Sequence, residues 1–310
     1  MRFLYKVLCV LAVVAMVVPL LTRLPHEPLT ASFHSKATTE EPEFAIVVCR
    51  DKNDSEKDAT GFQRQLRQIS VLLKSAASLT SETLIFNIVA DSYATYETVT
   101  NLTASWPAAY RERVVFDEFK EVFYPPGAED MMNMFRLCAT ERLFLAQTFE
   151  DKDAVVFLDT DTLFLMPPEN LWRKVYEFNP HQVIGIAPCL YMYGPRFKKT
   201  TAKHLYELGC EWNYREKLCS KGRNKCKRAQ QLGVGLLHGA ALTFVNDKEQ
   251  KFQAVFDAWE RHQLGESEKA LLASLRTTLR RQKRSQGCSR LHFIDKILLQ
   301  GLENTLRGRH

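Results

Sequence analysis

The sequence predicts an α/β fold in which a mostly parallel sheet is flanked by helices. Between residues 44 and 158, short apolar runs rich in β-branched residues alternate with longer segments of helical periodicity. The first of these runs ends abruptly at charged residues, as a parallel strand does when both of its faces are covered. Such alternation implies parallel strands joined by helical connections. Ligands of these sheets bind beyond the carboxyl ends of the strands.

The individual elements follow from the apolar pattern of each segment. The run 44–49 is short and almost wholly apolar, which is typical of a buried strand. In 61–77, apolar residues from Ile69 to Ala76 recur at i, i+3, i+4 and i+7, which predicts a helix. The same criteria predict strands at 44–49, 84–90, 113–119 and 154–158, and helices at 61–77, 96–106, 131–149, 250–263 and 268–283.

The N-terminal segment predicts a membrane-anchored protein. Residues 1–6 are predicted to be a short cytoplasmic tail, 7–22 a signal-anchor transmembrane segment, 23–43 a stem and 44–310 a luminal domain. Basic residues before the apolar run favour a cytoplasmic N-terminus. We find no convincing small-residue cleavage site, which favours an anchor over the alternative of a cleaved signal peptide. The sequence thus predicts a single-pass type II membrane protein.

Composition and cysteine usage are typical of a luminal globular protein. The 310 residues are 45% hydrophobic and 25% charged, with a net charge of +6. The basic residues do not form one stripe that alternates with aromatic residues, which argues against nucleic-acid binding. Seven cysteines follow the apolar run, and those at 210, 219 and 226 lack the C-x-x-C spacing of zinc sites, which favours disulfides. Their odd number leaves at least one without a partner in the chain.

Two carboxylates at the end of an apolar strand are the main chemical signal. The motif FLDTDTLFL, 157–165, places Asp159 and Asp161 two positions apart, so that in extended backbone both side chains point to one face. Carboxylates in this position are costly unless they are paired or bind a metal, which favours a cation site over a plain turn. Mg²⁺ and Mn²⁺ take oxygen ligands and bridge to phosphates.

A histidine far downstream is a candidate third ligand. His238 follows Leu236-Leu237 and precedes Gly239. A lone histidine in this setting is most often an ordinary loop or core residue, and the upstream aspartates are what make a ligand role plausible. Gly239 would allow the backbone to come close to a phosphate.

Four segments in this order carry a family resemblance: Cys138–Leu145, the motif at 157–165 with the helix after it, Glu211–Arg215 with its nearby cysteines, and Gly235–Gly239. Together they resemble glycosyltransferase family eight, and within it the animal glucoside xylosyltransferases. The resemblance implies a GT-A-type nucleotide-sugar transferase fold, a UDP-sugar donor such as UDP-xylose, Mn²⁺ or Mg²⁺ as cofactor, and retention of anomeric configuration without a protein nucleophile. It also implies a place in the endoplasmic reticulum or Golgi membrane.

The resemblance also implies roles for single residues. Asp159, Asp161 and His238 would hold the metal. Arg142 would lie near the donor, and the alternative for it is an exposed helix charge. The catalytic residues would be Arg142 and Asp159. The UDP-sugar site would be lined by Cys49, Arg50, Asp51, Asp159, Thr160, Asp161, His238 and Gly239. The acceptor would be a glucose-bearing O-glycan on a glycoprotein.

The chain departs from this family between Cys189 and Glu211. Family members carry an asparagine-serine-glycine strand and a glycine-aspartate-glutamine-aspartate motif there, and this chain has neither. Several dozen residues are therefore expected to be absent, and the fold to be incomplete in the middle. Glu141 also stands where a neutral polar residue is expected. Three functions follow as alternatives: an active xylosyltransferase-like enzyme, an impaired relative that binds UDP, metal or glycan without efficient transfer, and a secretory protein with vestigial family features.

Overall fold

The computed structural model describes residues 41–50, 59–133, 138–188, 203–246, 249–282 and 287–308. The predicted tail, anchor and most of the stem lie outside these residues, and so does Asp51. Within the described ranges, no helix has the length and apolar character that a membrane span requires. Residues from Glu40 onward group into one compact unit, which is the part considered below.

The described residues form short strands and helices in alternating order. The strands are β1 (Glu43–Val48), β2 (Leu84–Ala90), β3 (Val114–Phe116), β4 (Lys120–Glu121), β5 (Val156–Phe157), β6 (Thr162–Phe164), β7 (Ile184–Ile186), β8 (Leu205–Glu207) and β9 (Leu236–His238). The α-helices are α1 (Ala59–Leu79), α2 (Tyr93–Thr100), α3 (Ala108–Arg111), α4 (Leu145–Thr148), α5 (Glu169–Trp172), α6 (Lys227–Leu232), α7 (Gln250–Arg261), α8 (Glu268–Arg281) and α9 (Ile294–Gly308). Short 3₁₀ segments include Glu129–Asn133, Glu141–Leu143 and Cys210–Asn213.

The main sheet is parallel, as the alternating pattern predicts. Its order is β3-β2-β1-β5, and β4 pairs with the same strand, β2, farther along. The predicted strand at 113–119 is therefore two short strands, β3 and β4, that pair in turn with β2. The α/β class with a mostly parallel sheet is confirmed.

Strand β5 is shorter and less covered than the predicted strand at 154–158. Only Val156 and Phe157 pair with β1, and both are half-buried. Among the described residues no strand pairs with the outer side of β5, so β5 is an edge of the sheet. The aspartates of the motif therefore follow an edge strand. Leu158, which precedes Asp159, is buried, with 2% of its surface exposed.

The predicted helix at 131–149 is wrong. The described part of this region consists of two 3₁₀ turns and the single α-helical turn α4. Cys138 has a φ of 59°, a left-handed conformation that a continuous right-handed helix cannot contain. A disulfide joins the same residue to Cys49 at the end of β1. The segment before the aspartate motif is therefore tied to the carboxyl end of the sheet instead of continuing as a helix.

Helix α1 connects the main sheet to the second, antiparallel pair of strands. Strands β6 and β9 pair antiparallel, with Thr162 opposite His238. The hydroxyl of Ser75 in α1 accepts a hydrogen bond of 3.0 Å from the N–H of Phe164 in β6. Phe164 also packs edge-on against Phe44 of β1, with ring centroids 5.8 Å apart. Burial of each phenylalanine side chain stabilises the fold by on the order of 2 kcal/mol. This contact therefore helps to hold β6 in place against β1.

Strands β7 and β8 form a separate pair with little cover. They are parallel and join neither of the other two sheets. Val183 and Ile184 are exposed to 66% and 52%, although both are apolar. A parallel pair is normally covered on both faces. This poorly covered strand pair adjoins the part of the sequence, between Cys189 and Glu211, where a segment is predicted to be missing.

Among the described residues, one disulfide joins the end of β1 to the segment before the aspartate motif, and two tie the C-terminal half together. They join Cys49 to Cys138, Cys210 to Cys226 and Cys219 to Cys288. Six of the seven predicted luminal cysteines are thus paired, and Cys189 lies outside the described residues. The predicted helices at 250–263 and 268–283 are confirmed as α7 and α8, each with its apolar face buried.

We expect a buried carboxyl beside the third disulfide to make stability depend on pH. Burial raises the pKa of Glu249 to about 7, although the carboxylate accepts a hydrogen bond from the N–H of Cys288. Below pH 4.5 the carboxyl is protonated in both states, and as pH rises through 7 the folded state must hold a buried charge. Glu249→Gln should therefore unfold at a higher temperature than the parent protein at pH 8 and at the same temperature near pH 4.

The control for this prediction is Glu97→Gln, which removes an exposed carboxylate from α2. Thermal unfolding is followed by circular dichroism at both pH values, in non-reducing buffer. The control should unfold like the parent protein at both. An equal shift for Glu249→Gln at pH 4 and pH 8 would contradict the assigned cause, because the ionised form of Glu249 is present only at the higher pH.

Candidate metal centre

The aspartate motif lies between an edge strand and a strand of the antiparallel pair. Asp159 follows β5, and Asp161 immediately precedes β6. The Thr162 hydroxyl donates a hydrogen bond of 2.8 Å to the Asp159 carbonyl, which closes a tight turn. Thr160 lies half-buried between the two aspartates. The change from the parallel sheet to the antiparallel pair therefore occurs within the motif itself, and both carboxylates are left at the junction.

Strand β9 brings His238 to the same junction from 77 residues farther along the chain. Because Thr162 and His238 are paired in the β6–β9 register, the imidazole reaches the aspartates across one strand spacing. Its Nε2 atom lies 3.2 Å from Oδ1 of Asp161 and 3.6 Å from Oδ2 of Asp159. One ligand atom from each of the three residues lies within 4.8 Å of the others. This spacing is compatible with one shared cation.

The other ring nitrogen of His238 is held by Asn213. Its Nδ1 atom lies 2.7 Å from Oδ1 of Asn213, which belongs to the 3₁₀ turn Cys210–Asn213. An amide oxygen in this position accepts a hydrogen bond from Nδ1–H, so that in the neutral imidazole the Nε2 lone pair faces the aspartates. No chemical pattern in the sequence singles out Asn213. Its only signal was its place in the family-like segment Glu211–Arg215.

The electrostatic surroundings favour a charged Asp161. Burial alone would raise the pKa of this carboxyl, but the hydrogen bond and positive charge of His238, together with the charge of Arg215, lower it below its ordinary value. Its side chain is 24% exposed, and that of Asp159 is 29% exposed. Both carboxyl groups can therefore be reached from solvent, and the ionised form of Asp161, which a metal ligand requires, is favoured.

Arg142 lies next to Asp159, and its predicted place near the donor stays a prediction. Its Nη2 donates a hydrogen bond of 2.9 Å to Oδ1 of Asp159, and its guanidinium lies over the ring of Phe157 at 5.1 Å. Nε donates to the Ala139 carbonyl at 2.9 Å. Arg142 is 46% exposed, so a ligand can reach the guanidinium. It is anchored to the site and is not a freely solvated helix charge.

Glu141, the neighbour of Arg142, is fully buried. Burial raises the pKa of its carboxyl, even though it accepts hydrogen bonds from the Thr148 hydroxyl and the Phe123 N–H. The sequence analysis expects a neutral polar residue at this position, and burial shifts the glutamate toward its neutral form.

The predicted nucleotide-lining residues after β1 are only partly described. Cys49 is in a disulfide and is 7% exposed, so its sulfur is not a free ligand. Arg50 is exposed and lies over the ring of Phe62 at 5.6 Å, and its N–H donates to the Asp91 carboxylate at 2.9 Å. Asp51 lies outside the described residues.

Gly239 has a packing role beside the metal site. Its N–H donates to the Asp161 carbonyl, with nitrogen and oxygen 2.6 Å apart. A Cβ at this position would lie 2.4 Å from the ring of Phe244, so a larger residue would displace that buried ring. The need for glycine is thus explained by Phe244, and a close approach to phosphate stays a prediction.

Two other features of the described residues do not compete with this site. Cys210, Glu211 and Cys226 are also close enough to share a cation, but the two cysteines form a disulfide and offer no thiolate. A surface cavity of about 310 Å³ lies between α7 and α8 and is lined by polar residues including Gln250, Gln253 and Gln282. It contains none of the predicted site residues. The metal centre is open to solvent through its partly exposed aspartates.

Comparison with known proteins supports the family resemblance. No protein-family model matches the chain. Glucoside xylosyltransferase 1 of Danio rerio is 26% identical over 306 residues, covering 76% of this chain and 74% of that protein. Glucoside xylosyltransferase 2 of Mus musculus is 24% identical, covering 77% of this chain and 65% of that protein. Glucoside xylosyltransferase 1 of Homo sapiens is 21% identical, covering 87% of this chain and 73% of that protein. The predicted resemblance to glucoside xylosyltransferases is confirmed.

Two solved structures are similar to the chain at low TM-scores. Mouse xyloside xylosyltransferase 1, apo form, has a TM-score of 0.42 at 14% identity and covers 65% of this chain and 98% of that one. The WbbM bifunctional glycosyltransferase has a TM-score of 0.41 at 12% identity, and the match covers 78% of this chain and 53% of that one. Scores of this size support no assignment for this chain.

The alignments also indicate residues that this chain lacks. The 306 positions aligned with the Danio rerio protein cover 76% of 310 residues, about 236, so about 70 positions stand opposite gaps in this chain. The 341 positions aligned with the Homo sapiens protein include 87% of this chain, about 270 residues. About 70 positions again stand opposite gaps in this chain. This deficit agrees with the several dozen residues expected to be absent.

Proposed function

We propose that this chain is a metal-dependent, retaining glycosyltransferase of the xylosyltransferase type, with its UDP-sugar site at Asp159, Asp161 and His238. The observation that carries the proposal is the convergence of two carboxylates and one imidazole, from strands 77 residues apart in sequence, with ligand atoms within 4.8 Å. It is supported by the similarity to glucoside xylosyltransferases over most of the chain.

The donor set fits a divalent ion, and Mn²⁺ better than Mg²⁺. Carboxylate oxygens suit both ions, whereas an imidazole nitrogen suits a transition metal better than the hard Mg²⁺. When bound, the ion would stabilise the negative charge that develops on the UDP leaving group. Asn213 would hold the imidazole in the ligating tautomer. Arg142 would bind Asp159 in the free protein and could turn to the diphosphate when donor is bound.

The finer statements of the proposal come from the relatives. The donor sugar would be xylose, and the acceptor would be a glucose-bearing O-glycan on a glycoprotein. The protein would sit in the endoplasmic reticulum or Golgi membrane, with residues 1–6 as a cytoplasmic tail, 7–22 as the anchor, 23–43 as a stem and 44–310 in the lumen. Arg142 and Asp159 would be the catalytic residues, and Arg50, Asp51, Thr160 and Gly239 would line the donor site beside Cys49.

A second candidate function is favoured by the missing residues. A chain about 70 positions short of its relatives, with the apolar pair β7–β8 poorly covered, could keep the metal and diphosphate site while losing residues that orient the sugar and the acceptor. Transfer depends on the orientation of both partners. The alternative is therefore a relative that binds UDP and metal, or a glycan, without efficient transfer.

Calorimetry with UDP tests the proposed site. The full chain, purified in mild detergent, is titrated with UDP in Mn²⁺ and again in excess EDTA. We expect binding with Mn²⁺ and none with EDTA. Hydrolysis of UDP-xylose, compared with UDP-glucose, then separates an active enzyme from an impaired relative. If UDP does not bind under either condition, the chain keeps only the ancestry of a transferase and the proposed function is wrong.

A further inference from the structure

The side chain of Arg215 is an unexplained group beside the candidate metal centre. Its Nε atom is buried, and among the described residues it has no hydrogen-bond partner. Arg142 is ion-paired with Asp159 and Arg228 with Glu211, whereas Arg215 is half-buried and forms no ion pair with any described residue. A partly buried cation without a counter-ion is unfavourable, and an anionic ligand would supply one.

The backbone places Arg215 close to the residues that form the site. Tyr214 runs beside β9, accepting a hydrogen bond from the N–H of His238 at 2.9 Å and donating one to the Leu236 carbonyl at 3.0 Å. Arg215 follows directly in extended conformation, two residues after Asn213. Asn213 already contacts the His238 ring. The guanidinium charge also acts on the Asp161 carboxylate.

The charge balance of the site leaves a role for a second cation. Two carboxylates would largely neutralise a divalent ion, and a bound diphosphate would add several negative charges. The segment after His238 has no basic residue before Lys248, so it supplies no cation close to the imidazole. Arg142 is engaged with Asp159. Arg215 is close enough for its charge to act on Asp161, and no described side chain pairs with it.

We propose that Arg215 binds the diphosphate of the nucleotide ligand directly, through the terminal nitrogens of its guanidinium. Arginine presents parallel N–H groups that match two phosphate oxygens, and such charge-assisted pairs are about twice as strong as neutral hydrogen bonds. In this arrangement Arg215 contacts the ligand and not the metal. The proposal deepens the proposed function and rests on it.

The test compares nucleotide and metal binding in Arg215→Gln and Arg215→Lys. We expect Arg215→Gln to weaken Mn²⁺-dependent UDP binding about tenfold or more, as expected for loss of a hydrogen-bonded charge. Binding of Mn²⁺ alone should be unchanged or tighter, because the arginine repels a cation. Binding of uridine, which has no phosphate, should be unchanged. Arg215→Lys should recover part of the UDP affinity, since it restores the charge but not the paired N–H groups.

The matched control is Arg276→Gln, which removes the same charge from a surface ion pair with Glu303. It should bind UDP and Mn²⁺ like the parent protein. The inference is overturned if Arg215→Gln binds UDP as tightly as the parent protein. It is also overturned if Arg215→Gln loses Mn²⁺ and UDP binding together with a lower unfolding temperature, because that result indicates a structural role. If the parent protein itself does not bind UDP, the proposed function fails as well, so the two failures are distinguishable.

Discussion

Replacing Asp161 with asparagine is expected to weaken Mn²⁺ binding by roughly a hundredfold or more. Loss of an outer-sphere partner already costs about 10–100-fold in metal affinity, and Asp161 supplies both a ligand oxygen and a charge. The fold should survive, because an asparagine oxygen can still accept the hydrogen bond from His238. Mn²⁺ raises the unfolding temperature of a protein that binds it in the folded state, so this rise should be present in the parent protein and absent in Asp161→Asn.

The matched control for that variant is Asp153→Asn, which removes an exposed carboxylate eight residues upstream. Its unfolding temperature should rise with Mn²⁺ as in the parent protein. UDP binding provides a second readout, since Asp161→Asn should lose it in Mn²⁺ while Asp153→Asn keeps it. Should Asp161→Asn respond to Mn²⁺ like the control, the assignment of the metal site to this aspartate pair is wrong.

The aspartate pair was predictable as two carboxylates that follow an apolar strand. The sequence analysis places them in extended backbone, whereas in the structure a turn between β5 and β6 brings Asp159 and Asp161 together. His238 could not be placed by spacing. Its approach depends on the β6–β9 register, a contact between segments far apart in the chain. The family-like order of motifs connected the histidine to the aspartates before the structure did.

The wrong helix prediction at 131–149 shows that contacts between distant segments can decide the backbone against the local sequence pattern. Its apolar residues have helical spacing, yet Cys138 adopts a left-handed φ and bonds to Cys49, at the far end of β1. Nothing in the local sequence specifies that partner. The same holds for Asn213 and Arg215, whose proximity to the metal ligands is set by the pairing of Tyr214 with β9. Local propensity is a weak prior where tertiary contacts of this kind decide the backbone.

Replacing Gly301 with alanine is expected to lower the free energy of unfolding by about 2 kcal/mol, within the range for overpacked cores. Gly301 lies in α9 where the helix passes the antiparallel pair that carries the metal ligands. A Cβ there would lie 2.5 Å from the Val234 carbonyl oxygen and 2.8 Å from that of Leu165. Both atoms belong to backbone next to β9 and β6, which cannot move without moving those strands. We therefore expect Mn²⁺ affinity to fall together with stability.

Gly308 of the same helix provides the control, because replacing it with alanine is expected to change the free energy of unfolding in the opposite direction or not at all. A Cβ at Gly308 would meet nothing within 4 Å, so Gly308→Ala adds helix propensity without a clash and should be neutral or stabilising by up to about 1 kcal/mol. Denaturant unfolding measures both variants, and titration with Mn²⁺ follows on each. If Gly301→Ala is as stable as Gly308→Ala, the close contact between α9 and the antiparallel pair does not hold in solution. If Gly301→Ala is destabilised but keeps its full Mn²⁺ affinity, the position of β6 and β9 does not depend on α9, and the metal ligands are held by α1 and the main sheet alone.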